Sequence, residues 1–272
     1  MSQGSTLFLR VSFFRYSTPL VFAHRGGCAL GPENTLAAFD LGMKAGADGL
    51  ELDVHLSADG VPVVHHDRTL DRTTSGSGPI AAQTTENLRR VDAGCRFTIG
   101  GAFPFRNHGI GVPTLAEVLR RYPDAQLIVE MKVDSVAMGE AVAREVRLAG
   151  AAERVCAAGY GSRSAAAARA ALPEMATSAC HGEVRAAVYR TWARWPVRRA
   201  PYGGYQVPEL NGVTRIVSRR FVRYAHDAGF KVQVWVVNDE PDMRRLLEWG
   251  VDGLISDRPD LAVRIRDSFV SA

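Results

Sequence analysis

From Leu20 onward, short β-type apolar runs alternate with longer segments of helical pattern, and this alternation predicts parallel strands joined by helices. The strand-like runs are Leu20–His24, Gly49–Val54, Val61–His65, Gln126–Lys132, Val155–Gly159, Tyr205–Pro208, Lys231–Val236 and Gly253–Ser256. Helices are predicted over Asn34–Ala45, Thr114–Tyr122, Ser135–Leu148, Ser164–Leu172, Ser218–Ala228 and Glu240–Trp249, among others. Eight strand-like runs, most followed by a helix, predict an α/β chain folded as a closed (β/α)8 TIM barrel over residues 20–269, in preference to an open sheet. The second and third runs break the pattern, because only a short turn around Ser57-Ala-Asp-Gly60 lies between them.

Two short segments echo each other. "AGADGLELD" near residue 50 and "WGVDGLISD" near residue 253 each read as a helix ending in glycine, a tight turn and a buried strand. The echo is a repeat of the structural unit and carries no chemistry. Residues 70–112 are rich in Gly, Thr and Ser and too long for an ordinary connection, so they are expected to form an insertion over one end of the barrel. Residues 185–203 interleave arginines with Tyr189, Trp192 and Trp195. They read as a solvated helix whose aromatics pack on the barrel; the alternative is a lip that makes weak contact with a phospholipid headgroup or membrane surface.

Composition narrows the classes. At 272 residues with 46% hydrophobic and 23% charged positions, the chain can bury a substantial core. No window approaches the roughly 18 uninterrupted apolar residues a membrane span requires. The first 19 residues carry arginines inside their apolar part and lack a small-residue cleavage site, so they read as a leader to the first strand. The formal charge of +4 suits anionic small molecules, but no dense basic run of the kind that binds nucleic acid is present. Cys28, Cys95, Cys156 and Cys180 form no C-x-x-C pair, which points to a reducing, cytoplasmic setting.

The strand ends carry the candidate chemistry. Side chains two apart share a strand face, so Glu51 and Asp53 lie together, as do Glu130 and Lys132. Carboxylates gathered at strand ends repel one another, and a hard divalent cation, Mg²⁺ or Ca²⁺ with Mn²⁺ also compatible, removes that cost. The structural alternative pairs Glu51, Asp53 and Glu130 with arginines of the helical layer. His24 ends the first run and His66 follows the third, which in a barrel brings both to the carboxylate rim. Such a set suits phosphoryl chemistry: one imidazole takes a proton from the attacking oxygen, the other gives one to the leaving alkoxide, and Arg25 and Lys132 hold phosphate oxygens. His65 competes with His66, since adjacent residues cannot both point into the site. Asp67 is placed to orient His66, and His55 is expected beyond the strand end at the surface. Gly26 and Gly27 are expected to keep side chains out of the space a phosphate would fill.

These residues resemble the glycerophosphodiester phosphodiesterase family. The matching pieces are "AHRGG…PENT" at 23–35, "GLELDV" at 49–54, "HDRTLDRTT" at 66–74, "VEMK" at 129–132, "VQVWVVND" at 232–239 and "GVDGLISDRP" at 250–259. The resemblance implies a (β/α)8 barrel, catalytic roles for His24 and His66, metal ligation by Glu51, Asp53 and Glu130, and phosphate contacts from Arg25 and Lys132. It also implies that Trp235 packs against the glycerol end of the substrate. The implied reaction is metal-dependent hydrolysis of a small glycerophosphodiester to glycerol 3-phosphate and an alcohol. Two alternatives stand beside it: a lysophospholipase D acting on acylated substrates, and a non-catalytic phosphate-ester binding protein. Where many members close the fifth strand with Ser-Phe, this chain has "AAGYGS", so the wall near Tyr160 is expected to differ.

Overall fold

The computed structural model describes residues 12–195 and 200–271; residues 1–11 of the expected leader, 196–199 of the aromatic stretch, and 272 lie outside them. The first half runs β1 (Leu20–His24), α1 (Leu36–Lys44), β2 (Gly49–Leu56), β3 (Pro62–Val64), α2 (Thr85–Arg90), α3 (Leu115–Arg121), β4 (Gln126–Met131) and α4 (Val136–Leu148). The second half runs β5 (Val155–Ala158), α5 (Ser162–Ala171), β6 (Ala176–Thr177), α6 (His181–Ala193), β7 (Gly204–Pro208), β8 (Leu210–Asn211), β9 (Thr214–Arg215), α7 (Arg219–Asp227), β10 (Lys231–Trp235), α8 (Glu240–Glu248), β11 (Gly253–Ser256) and α9 (Pro259–Val270).

Eight parallel strands form the expected barrel, in the order β6-β5-β4-β2-β1-β11-β10-β7. A single parallel bridge from Ser178 to Gly204 joins the two end strands and closes the ring. The membership differs from the sequence reading at one strand. The third run, β3, pairs antiparallel with β2 and stands outside the ring, because a link as short as residues 57–61 can make a hairpin but not a parallel crossover. The fifth barrel strand in chain order is instead Ala176–Thr177, which is too short to register as an apolar run.

Strand alternation sorts the side chains as the pleat requires. Leu50, Leu52 and Val54 of β2 face outward and pack with Leu127, Val129 and Met131 of β4 in the helical layer, while Phe22, Ile128, Cys156, Ala176 and Ile255 fill the interior. Phe13, fully buried, joins that interior group and stacks on Phe22 at 6.1 Å, so residues 12–19 plug one end of the barrel. The other end therefore holds the polar strand termini.

The two echoed segments are equivalent in detail. Gly46 and Gly250 end their helices with positive φ. Asp48 then accepts from Val21 N–H at 2.7 Å, and Asp252 accepts from Val232 N–H at 2.8 Å. Each aspartate also donates its own N–H back to the carbonyl of the same residue. These are structural clasps between neighbouring strands.

Five of the described helices begin on a hydroxyl that accepts from the third N–H, namely Thr35, Thr84, Thr114, Ser135 and Ser218. The insertion builds a small core of its own from Leu70, Ile80, Leu88, Ala93 and Val112, docked on Val63 of β3. The four cysteines are unpaired, and no helix among the described residues is long and apolar enough to cross a membrane.

Candidate active site

β-sheet register places the polar residues. His24 is level with Glu51 across β1–β2, and Asp53 is level with Glu130 across β2–β4. Glu51, Asp53 and Glu130 each offer an oxygen within 4.8 Å of the others. Their charges are not equally offset. Asp53 is flanked by Lys132 Nζ at 3.3 Å and Arg25 Nε at 3.3 Å and accepts from Asn34 Nδ2 at 2.8 Å. Burial disfavours the Asp53 carboxylate, but Lys132 and Arg25 outweigh it and hold its pKa below the ordinary value. Lys132 also donates to Glu130 at 3.1 Å. Among the described residues, Glu51 is met by the Arg25 N–H at 3.1 Å and by His24 Nε2 at 3.8 Å. Burial and the Asp53 charge push its pKa well above the usual carboxylate range. Three oxygen donors converging with one charge left uncompensated fit a hard divalent cation. The cations of the helical layer, offered as the structural alternative, are not what meets them: the partners are Arg25 and Lys132, at the strand ends themselves.

The two histidines are anchored from opposite sides. His24 Nδ1 lies 2.5 Å from Asp257 Oδ1, and Asp257 also accepts from Cys28 Sγ at 2.8 Å and Asn238 Nδ2 at 2.7 Å. Burial works against the His24 charge, yet the Asp257 hydrogen bond and the nearby Glu51 raise its pKa on balance. Burial likewise opposes ionisation of Asp257, and the His24 and Cys28 hydrogen bonds carry its pKa down to about 2. His66 Nδ1 lies 2.6 Å from Asp67 Oδ1. Asp67 is gripped by Arg72, whose guanidinium also binds both oxygens of Glu33 at 2.8 Å. Glu33 in turn accepts from Arg25 at 2.9 Å, which completes a chain of ion pairs from His66 to Asp53.

The competing histidines resolve by direction. His66 lines the cavity with His24. His65 is buried and turned to the insertion, where Nε2–H donates to the Thr69 carbonyl at 3.1 Å. His55, expected at the surface, is instead buried within β2, and its Nε2–H holds the His66 carbonyl at 3.0 Å. The strand is two residues longer than the apolar run, which is why the prediction failed. Burial pushes the pKa of both His55 and His65 down.

Gly26 and Gly27 serve a different purpose from the one expected. Both have φ of +89°, and a Cβ on Gly26 would come within 2.7 Å of Phe39 while one on Gly27 would come within 2.9 Å of Pro259. The glycines let the loop turn and pack on α1 and α9. Asn34, where the predicted helix begins, adopts a left-handed φ of 58° and is clasped to the side chain and backbone of Asp53; the helix cap is Thr35. Glu33, Asn34, Arg72 and Asp257 were given no site role from the sequence, although all lie inside the quoted family pieces.

A cavity of about 500 Å³ opens above these groups, with Arg25, Lys132 and Trp235 on its wall. Tyr160 stacks on His181 at 4.3 Å on the far side of the mouth. Of the stretch 185–203, the part through Trp195 and from residue 200 is described. Tyr189, Trp192 and Trp195 are exposed, and the first two border the cavity, so they are not packed on the barrel as the helix reading expected.

Residues 24–261 match the glycerophosphoryl diester phosphodiesterase family. The chain is 31% identical over 256 residues to a glycerophosphodiester phosphodiesterase of Caldanaerobacter subterraneus subsp. tengcongensis, covering 90% of this chain and 97% of that one. Its fold is similar to the glycerophosphoryl diester phosphodiesterase domain of a Mycobacterium tuberculosis protein, with a TM-score of 0.79, 25% identity, and coverage of 93% and 100%. A phosphodiesterase of Oleispira antarctica, solved with the product sn-glycerol-3-phosphate, gives a TM-score of 0.72 at 26% identity, with coverage of 92% and 97%.

Proposed function

The chain belongs to the glycerophosphoryl diester phosphodiesterase family, and from that premise we propose that it hydrolyses glycerophosphodiesters to glycerol 3-phosphate and an alcohol, with His24 and His66 as the acid–base pair. The observation that carries this reading is that both imidazoles border one cavity above a cluster of three carboxylates. Each has its Nδ1 occupied by an aspartate, which leaves Nε2 free to exchange a proton with substrate. A purely binding protein has no use for two such oriented imidazoles.

Glu51, Asp53 and Glu130 would hold a divalent cation, Mg²⁺ or Ca²⁺ on the preference of hard ions for oxygen, which when bound neutralises charge on the phosphoryl oxygens. The chain's own residues do the rest. Arg25 and Lys132 orient the phosphate as fixed cations. One imidazole accepts the proton of the attacking oxygen, either water or the glycerol 2-hydroxyl, as that oxygen bonds to phosphorus. The other donates a proton to the departing alkoxide as its bond to phosphorus breaks, so charge and protons balance at each end. Trp235, half exposed at the end of β10, forms the wall for the glycerol carbons.

Glycerophosphocholine incubated with chelator-treated protein should release glycerol 3-phosphate only after Mg²⁺, Ca²⁺ or Mn²⁺ is restored. Product release in the presence of excess chelator would remove the metal from the proposal, and no release with any of the three ions would remove the activity.

A further inference from the structure

Two sets of three metal-type donors converge among the described residues, and the hydrolysis just proposed uses one of them. The other is His24, Cys28 and Asp257, whose ligand atoms also lie within 4.8 Å of one another. It lies on the far side of the His24 ring from the carboxylate cluster. His24 directs Nε2 toward Glu51 at 3.8 Å and its other nitrogen, Nδ1, toward Asp257 Oδ1 at 2.5 Å. Cys28 Sγ meets the same oxygen at 2.8 Å. Neither Cys28 nor Asp257 borders the cavity, and both are only partly buried, so a small cation reaches them without entering the substrate pocket.

The backbone fixes these donors in advance. Cys28 N–H donates to the His24 carbonyl at 3.3 Å and Ala29 N–H to the Asp257 carbonyl at 3.2 Å, which ties the loop after β1 to the end of β11. Asn238 holds Asp257 from behind, accepting from its N–H at 2.9 Å and donating to Oδ2 at 2.7 Å. Oδ1 is thus the point at which imidazole and thiol meet, and two protons share the space that one cation can fill.

The donor types select the metal. Thiolate, imidazole and carboxylate together suit Zn²⁺, which accepts sulfur, nitrogen and oxygen in one tetrahedral site, whereas Mg²⁺ and Ca²⁺ take oxygen. Oxidation is not the use of this thiol. Burial, and after it Asp257, hold the Cys28 pKa well above the ordinary thiol value, and oxidants attack the thiolate. A metal ion displaces the proton itself, and the Asp257 carboxylate attracts it.

We propose that His24 Nδ1, Cys28 Sγ and Asp257 Oδ1 form a second metal site, selective for Zn²⁺, whose occupation switches the enzyme off. Zn²⁺ forms three bonds, to sulfur, to Nδ1 and to the carboxylate oxygen, with water as its fourth ligand. The thiol proton passes to solvent, and the Nδ1 proton passes to solvent or, where Nε2 is bare, to Nε2. His24 then carries its one proton on Nε2 and has no lone pair there to accept another, so it cannot alternate between acid and base. The inhibition rests on the phosphodiesterase reading; the site itself does not.

The test uses protein stripped with chelator, saturated with Mg²⁺ and titrated with Co²⁺ as a spectroscopic stand-in for Zn²⁺. A sulfur-to-cobalt charge-transfer band should appear in the near ultraviolet and be erased by stoichiometric Zn²⁺; the carboxylate cluster contains no sulfur and cannot produce it. Cys28→Ser should abolish the band and Cys95→Ser should keep it. X-ray absorption on the wild-type zinc complex needs no variant, and should show one sulfur at about 2.3 Å with lighter ligands at about 2.0–2.1 Å. With glycerophosphocholine and excess Mg²⁺, saturating zinc should lower kcat by roughly 10²-fold or more. Relative to its own zinc-free rate, Cys28→Ser should need roughly tenfold or more zinc for half of that loss. A cobalt band that survives Cys28→Ser, or a zinc complex without sulfur, overturns the site. Zinc inhibition that Cys28→Ser leaves unchanged overturns the switch. Absence of turnover on glycerophosphodiesters with the sulfur band intact would instead remove the phosphodiesterase reading and keep the metal site.

Discussion

His24 and His66 face one cavity but are held by different kinds of structure. His24 is a barrel residue whose partner, Asp257, comes from the far end of the chain across the β1–β11 pair. Its side chain is 12% exposed, and Asp257 is itself clamped by Asn238 and Cys28. His66 is a loop residue, 30% exposed, held by its own neighbour Asp67. That aspartate depends on Arg72, which belongs to the insertion and is about half exposed. The barrel thus fixes one of the two proposed proton-transfer groups by closing its ring, and a surface excursion fixes the other. The contrast implies that the two groups answer differently to changes around them, even though their chemistry is symmetrical.

The largest effects should ignore the contrast. His24→Ala and His66→Ala should each lower kcat by roughly 10²–10⁴-fold with the fold intact by circular dichroism, because each removes one proton transfer outright. Near-normal turnover by either variant would break the pair.

The next level should expose it. Asp257→Asn should lower kcat by roughly 10–100-fold, whereas Asp67→Asn should lower it less, since the Asp257 site also organises Cys28 and Asn238. A shifted pH–rate profile in either variant separates loss of ring orientation from a general loss of structure. An Asp67 effect equal to that of Asp257 would mean that burial does not matter to the anchoring.

The smallest effect belongs to Arg72. Arg72→Ala removes one partner from both Asp67 and Glu33, but the exposed ion pairs are worth only about 1 kcal/mol, so kcat should fall by roughly threefold to tenfold with little change in thermal midpoint. Arg72→Lys should restore little, because an ammonium cannot fork across two carboxylates. Full rescue by lysine would show that charge alone, and not the bidentate geometry, carries the loop to the site.

Much of the polar site was legible in the sequence because strand alternation is a local rule. Glu51 with Asp53, and Glu130 with Lys132, share faces by spacing alone, and their placement at one rim follows from a barrel of parallel strands. The echo of Asp48 and Asp252 was likewise readable as a structural unit, and its two matched clasps bear that out. What resisted reading was whatever depended on short or exceptional backbone. Ala176–Thr177 is too brief to show a period, and β3 has the composition of a barrel strand but lacks the chain length to cross over.

The amino-acid order therefore determined the (β/α)8 class, the residues at the strand ends and the faces they share, since each follows from periodicities of two and of about 3.6 residues along a single element. Tertiary structure alone decided which groups act on one another. The pairing of His24 with Asp257 across 233 positions, the turning of His65 away from the cavity while His66 faces it, and the clasp of Asn34 on Asp53 all rest on long-range packing. No local period reports on contacts of that kind, because they exist only once the ring has closed.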